Sequence, residues 1–157
     1  MENGSAFNGS PYTVTVKKSF LVTVKGVSRM KAMAVRENHL YLKAYTKGKK
    51  AVGKYTVLYV MKDLKASLLK RAHPLKISVN RVGLTVTKKI GGAVVRNRVK
   101  RILRESYRLC EKELPVRRGR IIIIVARDAA KNVKCTDVYA EMKKQLETLG
   151  MLDHGNA

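Results

Sequence analysis

Polar and apolar residues alternate strictly over residues 81–87: Val82, Leu84 and Val86 point one way, Gly83, Thr85 and Thr87 the other. A period of two predicts a half-buried strand. Gly91-Gly92 break the alternation and permit a tight turn. Beyond them the period becomes helical. Val95, Val99, Ile102, Leu103, Ser106, Leu109 and Cys110 fall within one stripe at about 100° per residue. Arg96, Lys100, Arg104 and Arg108 recur every fourth residue on a different face, with Asn97 and Arg101 beside them.

The same reading extends in both directions. Residues 37–47 predict a short helix with Asn38 as its N-cap, an apolar stripe of Leu40, Tyr41, Ala44 and Tyr45, and Gly48 at its end. Residues 53–61 predict a strand with Tyr55, Val57, Tyr59 and Met61 on one face and Thr56, Leu58 and Val60 on the other. Within 62–80, Leu64, Leu68 and Leu69 suggest a turn or two of helix. Pro74 stops it, before a short extended piece at 75–79. Residues 111–119 read as a loop. Arg120–Ala126, with four isoleucines and a valine in a row, predicts a central strand buried on both faces. Thr136 is the expected N-cap of a last helix that presents Val138, Tyr139, Met142, Leu146 and Leu149 to the core, and Gly150 ends it. Residues 1–36 form an expected N-terminal extension of weak order, although Tyr12–Val16 and Phe20–Val24 are β-prone. Residues 37–150 form one domain, and residues 151–157 a frayed tail.

Charge changes the picture most. The 157 residues carry 34 Lys/Arg against 11 Asp/Glu, a formal net charge of +23. Such a balance points to nucleic acid first and an acidic membrane surface second. The longest apolar run, Ile121–Ala126, has the length of a strand and is far below a membrane span. No basic n-region and apolar h-region open the chain, so Cys110 and Cys135 are expected to be reduced cytosolic thiols. His39, His73 and His154 lack ligand-spaced cysteines, which argues against zinc. Residues 81–108 hold nine Lys/Arg and one acid, Glu105. Like charges four apart on a helix repel, and a polyphosphate backbone would neutralise them.

At these residues the chain resembles a family. Lys88-Lys89-Ile90-Gly91, then Arg96-Asn97-Arg98-Val99-Lys100-Arg101 and Arg104, is similar to the signature of the bacterial ribonuclease P protein subunit, over about residues 37–149. The resemblance implies an α+β single domain: a mixed four-stranded sheet packed with helices, with a left-handed βαβ crossover. Right-handed crossovers are otherwise the rule. Residues 62–80 are longer than the family's usual connection and form an atypical insert. Members typically start a few residues before their first helix, which makes Met30 and Met33 alternative starts to Met1.

The resemblance also implies function. Lys88, Lys89, Arg96, Asn97, Arg98, Lys100, Arg101 and Arg104 would bind the catalytic RNA, helped by phosphate affinity at the helix N-terminus. Tyr41, Tyr45, Val57 and Tyr59 match the cleft that holds the single-stranded 5′ leader of precursor tRNA. Aromatic rings beside a basic groove suit such a strand. Thr85, Thr87 and Lys89, read as the polar side of the next strand, complete the wall. The reaction implied is endonucleolytic removal of the leader. It is catalysed by the RNA, with no catalytic side chain and no metal site in the protein, and with Mg²⁺ held mainly by the RNA. One protein per RNA and a cytoplasmic location are expected. A non-catalytic ribosomal or assembly RNA-binding protein is the alternative. A protein-only nuclease is disfavoured, because two-metal cleavage needs clustered carboxylates and the acids here are scattered.

Overall fold

The computed structural model describes residues 32–72, 74 and 79–153. The β-prone stretches within 12–24, residues 75–78 of the extended piece expected at 75–79, and the last four residues lie outside them.

Five strands form one mixed sheet. They are β1 (Met33–Ala34), β2 (Lys49–Val52), β3 (Thr56–Lys62), β4 (Arg81–Thr85) and β5 (Arg120–Ala126), in the order β1-β4-β5-β3-β2. β5 sits at the centre, parallel to β4 and antiparallel to β3. That is why its isoleucines are buried on both faces. Ile122, Ile124 and Ala126 face α3 (Ala93–Glu113) and α4 (Cys135–Thr148), with Leu58, Val60, Val99, Leu103, Tyr107, Met142 and Leu146 around them. Ile121 and Ile123 face α1 (Asn38–Lys47), with Val35, Leu40 and Ala44. Burying one such side chain is worth about 1.5–3 kcal/mol, so this two-sided strand anchors the whole domain.

Several expectations are corrected. The sheet has five strands, not four. The first comes from residues assigned to the extension: Met33 and Ala34 pair in parallel with Arg81 and Val82, and Val35 is buried. Lys49–Val52, read only as a lead-in, pairs with Val57–Val60 as a hairpin arm, and Gly53–Tyr55 form the turn. The central helix continues to Glu113 through residues read as loop, and it buries Tyr107, which the stripe had omitted. Glu37 and Lys134 occupy the N-cap positions expected for Asn38 and Thr136, and neither supplies a side-chain cap. Met151 and Leu152, expected to fray, are buried, and Leu152 bridges Val116. Gly150 does end the last helix, in the left-handed region at φ 65°.

The insert holds α2 (Leu64–Ala72), tied to the domain by charge. Asp63, just before it, accepts two hydrogen bonds from the Arg81 guanidinium at 2.6 and 2.8 Å. Arg81 also reaches Glu37, which pairs with Lys65. Both cysteines are free thiols, and burial pushes the Cys110 thiol up to about 12.

Candidate RNA-binding surfaces

Side chains paired across neighbouring strands project from the same face of a sheet. The register therefore assembles the first surface. Tyr59, Ile123 and Gly83 form one row, and Val57, Val125 and Thr85 the next. α1 crosses this face. Its Tyr41 lies so close to Gly83 that a Cβ there would come within 2.7 Å of the ring, so the glycine is required by that approach. The Tyr41 hydroxyl donates to the Val35 carbonyl at 3.3 Å, and burial raises its pKa, keeping it a neutral donor. Tyr45 stands one turn further on. Its hydroxyl is 2.9 Å from Thr85 Oγ1, and its ring meets Tyr59 edge to face at 5.0 Å.

Five of the six residues expected to line a cleft thus share one surface: Tyr41, Tyr45, Val57, Tyr59 and Thr85. The sixth does not. β4 ends at Thr85, and Thr87 heads a single 3-10 turn at Lys88–Ile90, accepting the Ile90 amide on its carbonyl. Lys89 belongs to that turn and not to a strand wall. The row continues where the sequence reading had not looked. Val52 pairs with Val57, and Lys50 with Tyr59. Val52 is 62% exposed, so it extends the apolar floor to the sheet edge, with the Lys50 ammonium beside it. Two lysines at the head of a four-residue strand had masked this alternation.

The second surface begins where the first ends. From Thr85 the chain passes through the 3-10 turn to Gly91, whose φ of 149° falls in the region that favours glycine. Gly92 then opens α3, with no acidic side chain in the first turn. Its free amide groups and helix dipole favour an anion there. Val99, Leu103, Ser106, Tyr107 and Cys110 turn into the core, which leaves the cations outside. Asn97, Arg98, Arg101, Arg104, Lys88 and Lys89 are exposed, and Arg96 and Lys100 half-exposed. Among the described residues the ion pairs join Lys65 and Arg81 to Glu37, Arg81 to Asp63, Arg108 to Glu105 and Arg117 to Asp153. None involves the expected RNA-binding cations. Glu105, the one acid of the stretch, is turned to Arg108.

One further residue holds the first surface in shape. Glu141 of α4 accepts the backbone amides of Lys54, Tyr55 and Thr56 at 2.7–3.0 Å, and the Thr56 hydroxyl. It closes the β2–β3 turn from behind. A carboxylate capping a turn 85 residues away leaves no local signal in the sequence.

Among the described residues no three His, Cys, Asp or Glu side chains are placed to hold a metal ion. No helix among them is long and apolar enough to cross a membrane.

Residues 30–150 match the family model described as Ribonuclease P. The ribonuclease P protein component of Clostridium acetobutylicum is 35% identical over 123 residues, covering 78% of this chain and 93% of that one. That of a Thermoanaerobacter strain is 37% identical over 99 residues, covering 63% and 73%. Among solved structures, the Staphylococcus aureus RNase P protein superposes with a TM-score of 0.61 at 24% identity, over 78% of this chain and 99% of that one. The Thermotoga maritima RNase P protein gives 0.56 at 21% identity, over 79% and 98%.

Proposed function

The chain belongs to the ribonuclease P protein family, and from that premise we propose how its two surfaces divide the work of the enzyme. It is the protein subunit of an endoribonuclease whose catalysis is carried by the RNA, and the ribonuclease P RNA is its partner. A free-standing ribosomal or assembly protein is not favoured.

In our reading the α3 surface holds that RNA. Arg96, Arg98, Arg101 and Arg104 offer planar guanidinium forks to phosphate oxygens, and Lys88, Lys89 and Lys100 add charge. Asn97 donates from its amide. These contacts fix position on the backbone and screen phosphate repulsion. The tyrosine surface takes the single-stranded 5′ leader of precursor tRNA. Bases stack on Tyr45 and Tyr59 over a floor of Val57, Val125 and Val52, while Tyr41 and Thr85 set the walls. Because Thr85 leads through one short turn into α3, leader and catalytic RNA would be held side by side, which orients the scissile bond. Mg²⁺ is assigned to RNA phosphates, where it would stabilise the attacking and leaving oxygens. One protein per RNA, in the cytoplasm, completes the reading.

The observation that carries it is the cationic face of α3, where no acid among the described residues pairs with any of the expected RNA-binding side chains. The direct test is cleavage of precursor tRNA by protein alone, RNA alone and both together. Activity of the RNA at high Mg²⁺, improved by the protein at low Mg²⁺, is expected. Cleavage by protein alone would overturn the reading.

A further inference from the structure

Arg96 and Arg98 stand two residues apart on α3, so about 200° separates them around the helix axis. They therefore point to opposite flanks. Lys100 follows Arg96 on one flank, and Arg101 follows Arg98 on the other. A helix with its side chains is about 10–12 Å across, so a single phosphate strand cannot run along both flanks. The Arg98 flank has a neighbour. Ile102 and Ser106 follow Arg98 at successive turns. The Ser106 hydroxyl donates to the Cys135 carbonyl at 3.1 Å, and the Cys135 thiol reaches the Ile102 carbonyl at 4.0 Å. These contacts seat the start of α4 along the line Arg98–Ile102–Ser106. The 3-10 turn just before it, Asp128–Asn132, packs on α3 and on the Lys88–Ile90 turn. Its Ala130, with Val133 after it, is buried in the core that holds Val99 and Leu103. Lys131 and Lys134 are left exposed. Among the described residues neither forms an ion pair with Asp128, Asp137 or Glu105.

Lys134 also sits where stability disfavours a cation. It is the N-cap of α4 and makes no side-chain cap. Ser, Thr, Asp or Asn would accept a backbone amide there. A lysine can only donate, and its charge opposes the helix dipole. We propose that Lys131 and Lys134 are positioning residues for the catalytic RNA, forming with Arg98 and Arg101 a second phosphate rail on the flank of α3 opposite Arg96 and Lys100. The inference rests on the assignment of α3 to that RNA. α3 then lies between two backbone segments of one RNA, with a rail to each side. Lysine ammonium groups suit the role, because they meet phosphate as point charges and read no base.

The test uses the full chain in two double variants. Lys131→Ala/Lys134→Ser removes both charges and gives α4 an N-cap acceptor. Lys131→Arg/Lys134→Arg keeps the charges. Affinity for the catalytic RNA is measured at several salt concentrations, beside a melting curve of each free protein. The neutral variant should bind more weakly, with its log–log salt slope reduced by roughly 1.4–1.8, at 0.7–0.9 per phosphate. It should nevertheless melt at or above the temperature of the parent. The arginine variant should bind as the parent does. Combined with Arg96→Ala/Arg104→Ala, the slope losses should add, because they come from different strands. A neutral variant that binds like the parent overturns the proposal. If the Arg96/Arg104 pair still loses affinity, the α3 reading stands without a second rail; if neither pair loses any, both fall. Equal losses for the neutral and arginine variants would also overturn it, as would a loss matched by a lower melting temperature. So would a combined slope loss no larger than that of Arg96→Ala/Arg104→Ala alone. A loss confined to leaderless tRNA binding by the assembled complex would overturn it too, by moving the two lysines to the tRNA.

Discussion

The hydroxyl of Tyr45 lies 2.9 Å from that of Thr85, forty residues later in the chain. This contact fastens the first helix to the end of β4, where the chain turns toward the cationic helix. It also sets the Tyr45 ring edge-on to Tyr59. One pair of hydroxyls thus ties an aromatic surface to the start of a phosphate-binding one.

Arg96→Ala with Arg104→Ala should weaken binding to the catalytic RNA and flatten its salt dependence by about 0.7–0.9 per lost contact. Neither side chain enters the core, so the melting temperature should hold. Titration of the RNA at several salt concentrations checks both statements.

Removing residues 1–31 should leave the melting temperature nearly unchanged. Removing residues 1–36 should lower it, because that cut also takes β1. The Met33 amide donates to Asn80 and the Val35 amide to Val82, and burial of Val35 alone is worth about 1.5–3 kcal/mol. Equal melting of the two truncations would show that β1 contributes nothing.

Asp63→Asn should destabilise the fold by about 2 kcal/mol at neutral pH, the scale of hydrogen bonds to a charged group. Burial alone would raise the Asp63 pKa, but the Arg81 guanidinium outweighs it and holds the carboxyl below its usual value. Glu37 is held down to about 2, first by Lys65. Groups with lowered native pKa stabilise the fold above their unfolded values, and that contribution fades as pH falls through the native ones. The parent should therefore lose stability below about pH 4, the unfolded carboxylate range, and its margin over the variant should narrow there. Melting curves from pH 7 to pH 2 follow both.

Glu141→Ala should loosen the β2–β3 hairpin. It strips the side-chain acceptor from three backbone amides, at a cost of about 1.5–3 kcal/mol for a charged acceptor. Faster hydrogen exchange at Tyr55 and Thr56, with little change at Ile123, is expected.

Strong periods made most of the scaffold legible. β5 was plain because a central strand covered on both sides needs apolar residues on both faces, and α3 because one stripe repeats from Val95 to Cys110. The errors fall where non-local contacts decide. β1 is two residues long and exists only because β4 lies beside it. Leu152 is ordered by Val116, far away in sequence. Glu111 and Glu113 looked like loop because a helix end facing solvent carries polar residues. At the site, helical and strand spacing anticipated that the tyrosines share one surface. The strand was read through Thr87 because alternation outran it, and it ends at Thr85; Val52 was not considered because Lys49 and Lys50 hid a short edge strand.

The central claim, that the tyrosine surface holds the leader, is tested most directly by the affinity of the assembled complex for precursor and for leaderless tRNA with Tyr45→Ala. Tyr45 is 37% exposed, so losing its bond to Thr85 and its contact with Tyr59 should lower the melting temperature only modestly and leave the domain folded. Stacking is worth about 1–3 kcal/mol per base. The variant should therefore lose about 5- to 150-fold in affinity for leader-bearing tRNA, and nothing for the leaderless form. Equal losses for the two tRNAs would contradict the claim and leave Tyr45 as a packing residue.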